Sequence, residues 1–311
     1  MDQLLKVRSS PPRERESHLW RVQLPGPSLA LVSTSVRIPH KSIFALLLAF
    51  ATVAGCCSVA APAQAVDRIA RASLPVRAGT HLIFSESDGP TYTRDYDCTA
   101  GAVLTGSGFL SRITPYQRAV RYVATAKHCG GRGAHVHVND VEVGSVIWES
   151  PDTDLSIVRI EPLQTTRRSC YPTSAGIRCT LTSDYEPRAT GEVFAVRNRS
   201  GQESSVPVAG TKVPDAREIF CTSGYITGRL CNYVSTNRPP GLIVENQQVL
   251  AETFSTATQR GDSGGPVVSR DMKIIGIIGA GGLPGSGDET YMSYIPIAVL
   301  FREQPYYVLA T

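Results

Sequence analysis

The run Gly261-Asp262-Ser263-Gly264-Gly265-Pro266 places the tightest demand on this chain. It follows the polar segment Ser255-Thr256-Ala257-Thr258-Gln259-Arg260 and leads into the apolar Pro266-Val267-Val268, so it reads as a sharp loop entering a buried strand. Glycines on both sides leave little bulk around Ser263. A carbonyl group can approach its hydroxyl while the backbone N–H groups of Gly261 and Ser263 face one point. An acyl-transfer nucleophile needs that arrangement, although a Gly-rich turn with a capping serine has the same short pattern. The hexapeptide therefore requires a general base and an orienting acid to arrive beside it from elsewhere in the chain.

Two upstream segments offer them. Tyr122-Val123-Ala124-Thr125-Ala126-Lys127 is a strand-like run that delivers His128 directly before Cys129. Asp154 heads Leu155-Ser156-Ile157-Val158-Arg159-Ile160, in which Leu155, Ile157 and Ile160 suggest core contact. Asp152 lies two residues from Asp154, on the same strand face, and is its rival. With the order His128, Asp154, Ser263, the segment Thr125-Ala126-Lys127-His128-Cys129 and the hexapeptide, the chain resembles the chymotrypsin-fold serine proteases, closest in style to the secreted bacterial branch of streptogrisins and α-lytic protease. The resemblance runs from about Cys98 into the C-terminal region. Its departures are Lys127, where relatives carry Ala or Gly, and Gln259, where many carry a disulfide cysteine.

The resemblance implies a secreted serine endopeptidase acting on peptides or proteins through an acyl-enzyme, with His128, Asp154 and Ser263 as the triad. Asp154 is preferred to Asp152 because it alone matches the family's aspartate-aliphatic-small-aliphatic pattern. Gly261 and Ser263 would supply the oxyanion N–H groups, and Ala257 the base of the specificity pocket, with walls near Gly279, Gly281 and Met292. Without a carboxylate at position 257, a buried Lys or Arg side chain would lack a partner, so apolar, medium-sized residues are expected on the acyl side of the scissile bond. Asp288 or Glu289, from the loop 282–289, would reverse that preference by entering the pocket. Readings from other classes are a binding module on a protease scaffold that has lost catalysis, or an esterase-like hydrolase. No triad member is missing.

The pattern between motifs is strand and turn, in keeping with 27 Gly and 21 Pro. Segments 99–104, 108–112, 122–126, 134–139, 141–148 and 154–160 read as a first set of strands. Segments 191–198, 204–209, 219–226, 229–235, 264–269, 273–279 and 291–297 read as a second. The expectation is an all-β protein of two six-stranded antiparallel β-barrels with the active site at their junction, closed by a short C-terminal helix around 297–304. Residues 81–185 would form the N-terminal barrel and 186–311 the C-terminal barrel and helix.

Residues 1–65 read as an N-terminal extension and signal peptide. Arg37-Ile38-Pro39-His40-Lys41 is a basic start, 43–55 an apolar stretch too short to span a bilayer comfortably, and Ala63-Gln64-Ala65 a small-residue cleavage site. Val53-Ala54-Gly55-Cys56 also has the form of a lipobox, so the alternative to a soluble secreted product is a lipoprotein tethered to a membrane at Cys56. Residues 66–80 would be an N-terminal arm or a short propeptide. They hold no animal-type activation sequence whose new amine could pair Asp262, which leaves an internal Arg or Lys, as in the bacterial branch.

Beyond Cys56 and Cys57 there are six cysteines, an even number that allows 15 pairings and points to an oxidising compartment. The family resemblance implies Cys98–Cys129 and Cys221–Cys231, the latter in a hairpin like that of the streptogrisins, and leaves Cys170 with Cys179. The absence of a C-x₂-C pair among these six argues against structural zinc. His135 and His137 share a strand face without a third ligand nearby in sequence, and are read as an exposed face. No metal or cofactor is expected. Lys plus Arg exceed Asp plus Glu by 31 to 27, with part of the excess in the first 41 residues, so a near-neutral monomer without a nucleic-acid partner is expected.

Overall fold

The computed structural model describes residues 66–87, 93–174, 176–197, 202–239, 244–282 and 288–311. The signal region, the lipobox and the middle of the loop 282–289 lie outside them. In chain order the arm contributes helix α1 (Arg68–Arg71) and strand β1 (Val76–Ala78). Then come β2 (His81–Ser87), β3 (Thr93–Thr99), β4 (Ala102–Gly106), α2 (Pro115–Ala119), β5 (Arg121–Thr125), β6 (His135–Val138), β7 (Val141–Glu149) and β8 (Ser156–Ile160). A long ribbon, β9 (Leu163–Thr173) and β10 (Gly176–Glu186), leads to β11 (Ala189–Arg197) and β12 (Glu203–Pro207). The last part holds β13 (Phe220–Gly224), β14 (Gly228–Ser235), β15 (Val249–Thr253), β16 (Pro266–Val268), β17 (Ile274–Gly281), β18 (Tyr291–Pro296), α3 (Ile297–Glu303) and β19 (Tyr307–Leu309).

The second half contains a closed six-stranded barrel, ordered β13-β14-β15-β18-β17-β16. The first half is an eight-stranded sheet ordered β19-β4-β5-β8-β7-β6-β2-β3. Its β4 and β3 are separated in the chain only by Ala100 and Gly101, so one bent strand links the far side of the sheet back to β5 and the sheet curls around a single core. At the bend the backbone stays paired, Ala100 N–H to Thr80 O and Gly101 N–H to Ala124 O. Gly101 is required there: a Cβ would stand 2.5 Å from the Gly264 carbonyl oxygen.

Several strands differ from the sequence reading. The segment 108–112 is a 3₁₀ turn, Phe109–Arg112, with Phe109 and Leu110 exposed. Its strand pattern is overruled by the capping box that follows, in which the Thr114 hydroxyl accepts from Gln117 N–H and Pro115 opens α2. Where a six-stranded first barrel was expected, the first sheet has eight strands and takes in β2, whose Leu82 and Phe84 are fully buried. In the second half β15 enters the barrel, while β11 and β12 leave it to form a separate sheet with β1. The pairing of β1 with β11 is parallel, Val76 opposite Ala189. The helix expected at 297–304 is α3, and beyond it β19 crosses to pair with β4 of the first sheet.

Three apolar clusters hold these parts. One lies inside the first sheet, with Leu82, Phe84, Val123, Val136, Val158 and Ile160, and one inside the barrel, with Phe220, Tyr233, Val267, Met292 and Tyr294. The third joins the halves: Ala102, Leu104, Leu155 and Ile157 pack with Val268, Ile274, Ile277 and Ile295. Burial of both faces of β4, β5 and β8 explains their near-continuous apolar sequences.

Candidate active site

Strand β5 ends at Thr125, and a single 3₁₀ turn, Lys127–Cys129, carries His128 off its end. The neighbouring β8 pairs with β5 in the register Thr125 opposite Ser156, which sets the residues just before β8 beside that turn. Asp154, nearly buried, thereby meets His128 twice. Its Oδ1 accepts the His128 backbone N–H at 2.9 Å, and its Oδ2 lies 2.7 Å from Nδ1. With the Nδ1 proton given to Asp154, Nε2 is left as the basic nitrogen. The hydrogen bond to Asp154, with the Asp154 and Glu245 charges, raises the His128 pKa above its usual value against the opposing effect of burial. Asp152 is exposed, and its backbone N–H turns to Ser150 Oγ. Lys127 sends its ammonium to the Ser150 carbonyl at 2.9 Å.

Ser263 and His128 line one cleft of about 680 Å³, with Thr258, Gly279, Ala280, Gly281 and Arg260 on its walls. They also share a second cleft of about 570 Å³ that runs along Cys98, Tyr225 and Arg68. A cavity of about 730 Å³ between α3 and residues 211–214 is larger, yet neither His128 nor Ser263 lines it. In the nucleophile loop the N–H groups of Asp262, Gly264 and Gly265 bond Gln259 O, Ile278 O and Asp262 O. Those of Gly261 and Ser263 have no partner among the described residues. Two donors thus remain available beside the Ser263 hydroxyl. Gly264 has φ +80°, and a Cβ on it would reach 2.0 Å from Thr125 Oγ1, so the loop can sit this close to β5 only with glycine at that position.

Asp262 is held differently from the expected Arg or Lys. Its carboxylate accepts the backbone N–H groups of Gln259 (2.8 Å), Ile226 (2.8 Å) and Thr227 (3.1 Å) and the Thr227 hydroxyl (2.8 Å), and no cation pairs with it among the described residues. Burial nevertheless pushes its pKa above the usual carboxylate value, with the four hydrogen bonds pulling the other way. The β13–β14 turn supplies three of these donors, so the loop's anchor comes from a neighbouring hairpin.

Of the pocket residues, Gly279 and Gly281 line the cleft. Thr258 lines it where Ala257 was expected, and Met292 is 1% exposed in the barrel core. Met292 faces inward because β18 pairs with both β15 and β17 and buries that face. Asp288 and Glu289 are not among the lining residues. The disulfides are Cys98–Cys129, Cys170–Cys179 and Cys221–Cys231. Among the described residues the one group of three possible metal ligands is Cys98, His128 and Cys129, whose two sulfurs are bonded to each other. His135 pairs with Glu142 at 2.8 Å, both side chains exposed. Thr99 and Thr227, both bonded into the nucleophile loop, were not singled out from sequence, where a lone threonine carries no signal.

A family model described as a trypsin-like peptidase domain matches residues 106–277. None of the curated proteins matches the sequence. Among solved structures, Thermobifida fusca Protease A is 22% identical, with 76% of this chain and 98% of that one covered and a TM-score of 0.48. The Nocardiopsis protease is 18% identical over 74% and 97%, with a TM-score of 0.45. Cellulomonas bogoriensis chymotrypsin is 18% identical over 76% and 99%, with a TM-score of 0.44.

Proposed function

The chain belongs to the trypsin-like peptidase family and is a serine endopeptidase; from that premise we propose that it cleaves peptide bonds through Ser263, His128 and Asp154, with the N–H groups of Gly261 and Ser263 as the oxyanion site. The observation that carries this reading is the contact of both Asp154 oxygens with His128, beside a loop whose Gly261 and Ser263 N–H groups have no partner among the described residues. Ser263 Oγ attacks the carbonyl carbon as its proton passes to His128 Nε2, and Asp154 stabilises the imidazolium that forms. Collapse of the tetrahedral intermediate expels the amine, which takes that proton, and water then releases the acyl group by the same route.

On the acyl side we propose a preference for apolar, medium-sized residues. The lining glycines leave an open slot, no carboxylate is among the described residues that line it, and the cation of the lining Arg260 repels a basic side chain. Export to an oxidising compartment, as a soluble product or tethered at Cys56, is supported by three disulfides. Residues 66–80 are proposed to stay on the mature protein, since Arg71 is fully buried and β1 is part of a sheet.

The test is labelling with a fluorophosphonate followed by peptide mapping, alongside peptide hydrolysis by a Ser263→Ala variant. Modification of Ser263 and loss of hydrolysis with unchanged melting are expected, and a label that survives the substitution refutes the assignment. A peptide library varied at the residue before the scissile bond should favour Leu, Phe or Ala over Arg and Lys.

A further inference from the structure

Thr99 follows the disulfide cysteine Cys98 at the end of β3, and it is completely buried. Every polar group it has is engaged, its N–H and its hydroxyl across the junction of the two halves and its carbonyl within the first. Its backbone N–H donates to Ser263 O at 2.8 Å. Its carbonyl oxygen accepts the Thr125 hydroxyl at 3.1 Å, three residues before His128 on β5. The side-chain oxygen accepts the Tyr225 N–H at 3.0 Å, and with that acceptor site filled its own proton goes to the Gly261 carbonyl at 2.7 Å. Tyr225 immediately precedes the Ile226 and Thr227 N–H groups that hold Asp262.

We infer that Thr99 is the positioning residue of the oxyanion site: its hydroxyl, fixed by Tyr225 N–H, holds the Gly261 carbonyl while its own N–H holds the Ser263 carbonyl, so the backbone on both sides of the Ser263 N–H, and the Gly261 Cα that carries the other donor, are tied to the end of β3. The inference rests on the serine endopeptidase reading above. Gly261 has φ +99°, and its N–H belongs to the preceding Arg260–Gly261 peptide, so that donor is placed through the Gly261 Cα, which the bond at its carbonyl holds against β3. The Gly261–Asp262 peptide unit is bonded within the loop through Asp262 N–H to Gln259 O, and the bond at Gly261 O adds a restraint from the opposite half of the molecule. Thr99 touches no substrate atom; it acts through Gly261. A donor held in place stabilises charge that appears only in the transition state, so its loss should appear in kcat and leave KM nearly unchanged.

The experiment compares wild type with Thr99→Val, which keeps the shape and removes the hydroxyl, and Thr99→Ser, which restores it. An N-capped tetrapeptide p-nitroanilide ending in Leu serves as substrate, and the boronic acid of the same peptide as the tetrahedral analogue. For Thr99→Val, kcat is expected to fall roughly 10- to 100-fold, with KM within about twofold. Boronate affinity should fall by a similar factor while affinity for the free acid product stays level. Thr99→Ser should recover most of kcat. If Thr99→Val does not fold, Thr99→Ala, which adds no bulk, gives the same comparison. Unchanged kcat and boronate affinity in a folded variant, or equal losses for boronate and product, overturn the inference. A wild-type protein that neither hydrolyses the peptide nor takes fluorophosphonate on Ser263 overturns the peptidase reading and this inference with it.

Discussion

The Nδ1 hydrogen bond from His128 to Asp154 both fixes the tautomer and raises the pKa of the ring. Only the neutral ring accepts the serine proton, so a raised pKa moves the acid limb of kcat/KM to higher pH. That limb is expected above the usual imidazole value of 6.5. Asp154→Asn removes the largest cause, so the limb should shift downward and kcat should drop on the order of 10⁴-fold. Glu245→Gln, which removes only a distant charge, should move the limb slightly down with little change in kcat at alkaline pH. A pH profile of hydrolysis for the three proteins is the check. The linkage to stability has the matching sign. The contact stabilises the fold fully below the unfolded-state pKa, and that contribution is lost as pH rises through the raised folded value.

Among the elements, the β9–β10 ribbon and the β3–His128 connection use disulfides in opposite settings. The ribbon pairs Cys179 directly opposite Cys170, with every β9 residue exposed. Its bridge spans 9 residues of sequence, whereas Cys98–Cys129 spans 31 and lies within the buried core of the first sheet. Closing the longer loop restricts the unfolded chain more. Replacing Cys170 and Cys179 together by Ser should therefore lower global stability by less than about 1 kcal/mol, since local opening of the ribbon leaves the core intact. Replacing Cys98 and Cys129 should cost about 2–5 kcal/mol. Urea titrations with a common m-value are the measurement, and equal shifts in midpoint would contradict the difference in setting.

For the whole molecule, the arm reaches both halves: Val76 packs in the core of the first sheet while β1 pairs with β11, and Arg71 anchors the arm to the second half. Arg71, fully buried, pairs with Glu203 and donates to Gly79 O and Ser223 Oγ, both at 3.0 Å. Its guanidinium also lies 4.8 Å from the centre of the Phe194 ring. Arg71→Met keeps much of the volume but takes the cation from a buried carboxylate, which should cost about 3–5 kcal/mol. Because Ser223 adjoins the turn that holds Asp262, peptidase activity should fall at temperatures where the fold persists. Melting followed by far-ultraviolet circular dichroism, with activity measured in parallel, tests both effects. An arm that the sequence leaves open between a structural segment and a short propeptide is thus built into the chymotrypsin-like architecture of this chain.

The sequence alone determined the local pieces. The nucleophile loop, the strand ending at His128, the segment from Asp154, and α3, observed at Ile297–Glu303 against an expected 297–304, are legible because each is encoded within a few neighbouring residues. The composition of short β-branched runs between turns was enough for an all-β class. Which strands close which ring was decided by the tertiary structure. Residues 108–112 have a strand's pattern and no strand partner among the described residues, while Val249–Thr253 lies between β14 and β18 and completes the barrel. Strand membership depends on a neighbour remote in the chain, so β1 joins β11 and β19 joins β4 with no local sign of either. The same holds at the site. The four uncharged donors on Asp262 come from its own loop and a neighbouring hairpin, the Thr99 hydroxyl on Gly261 arises where two halves meet, and a hydrogen bond between residues 162 apart leaves no trace in the sequence around either one.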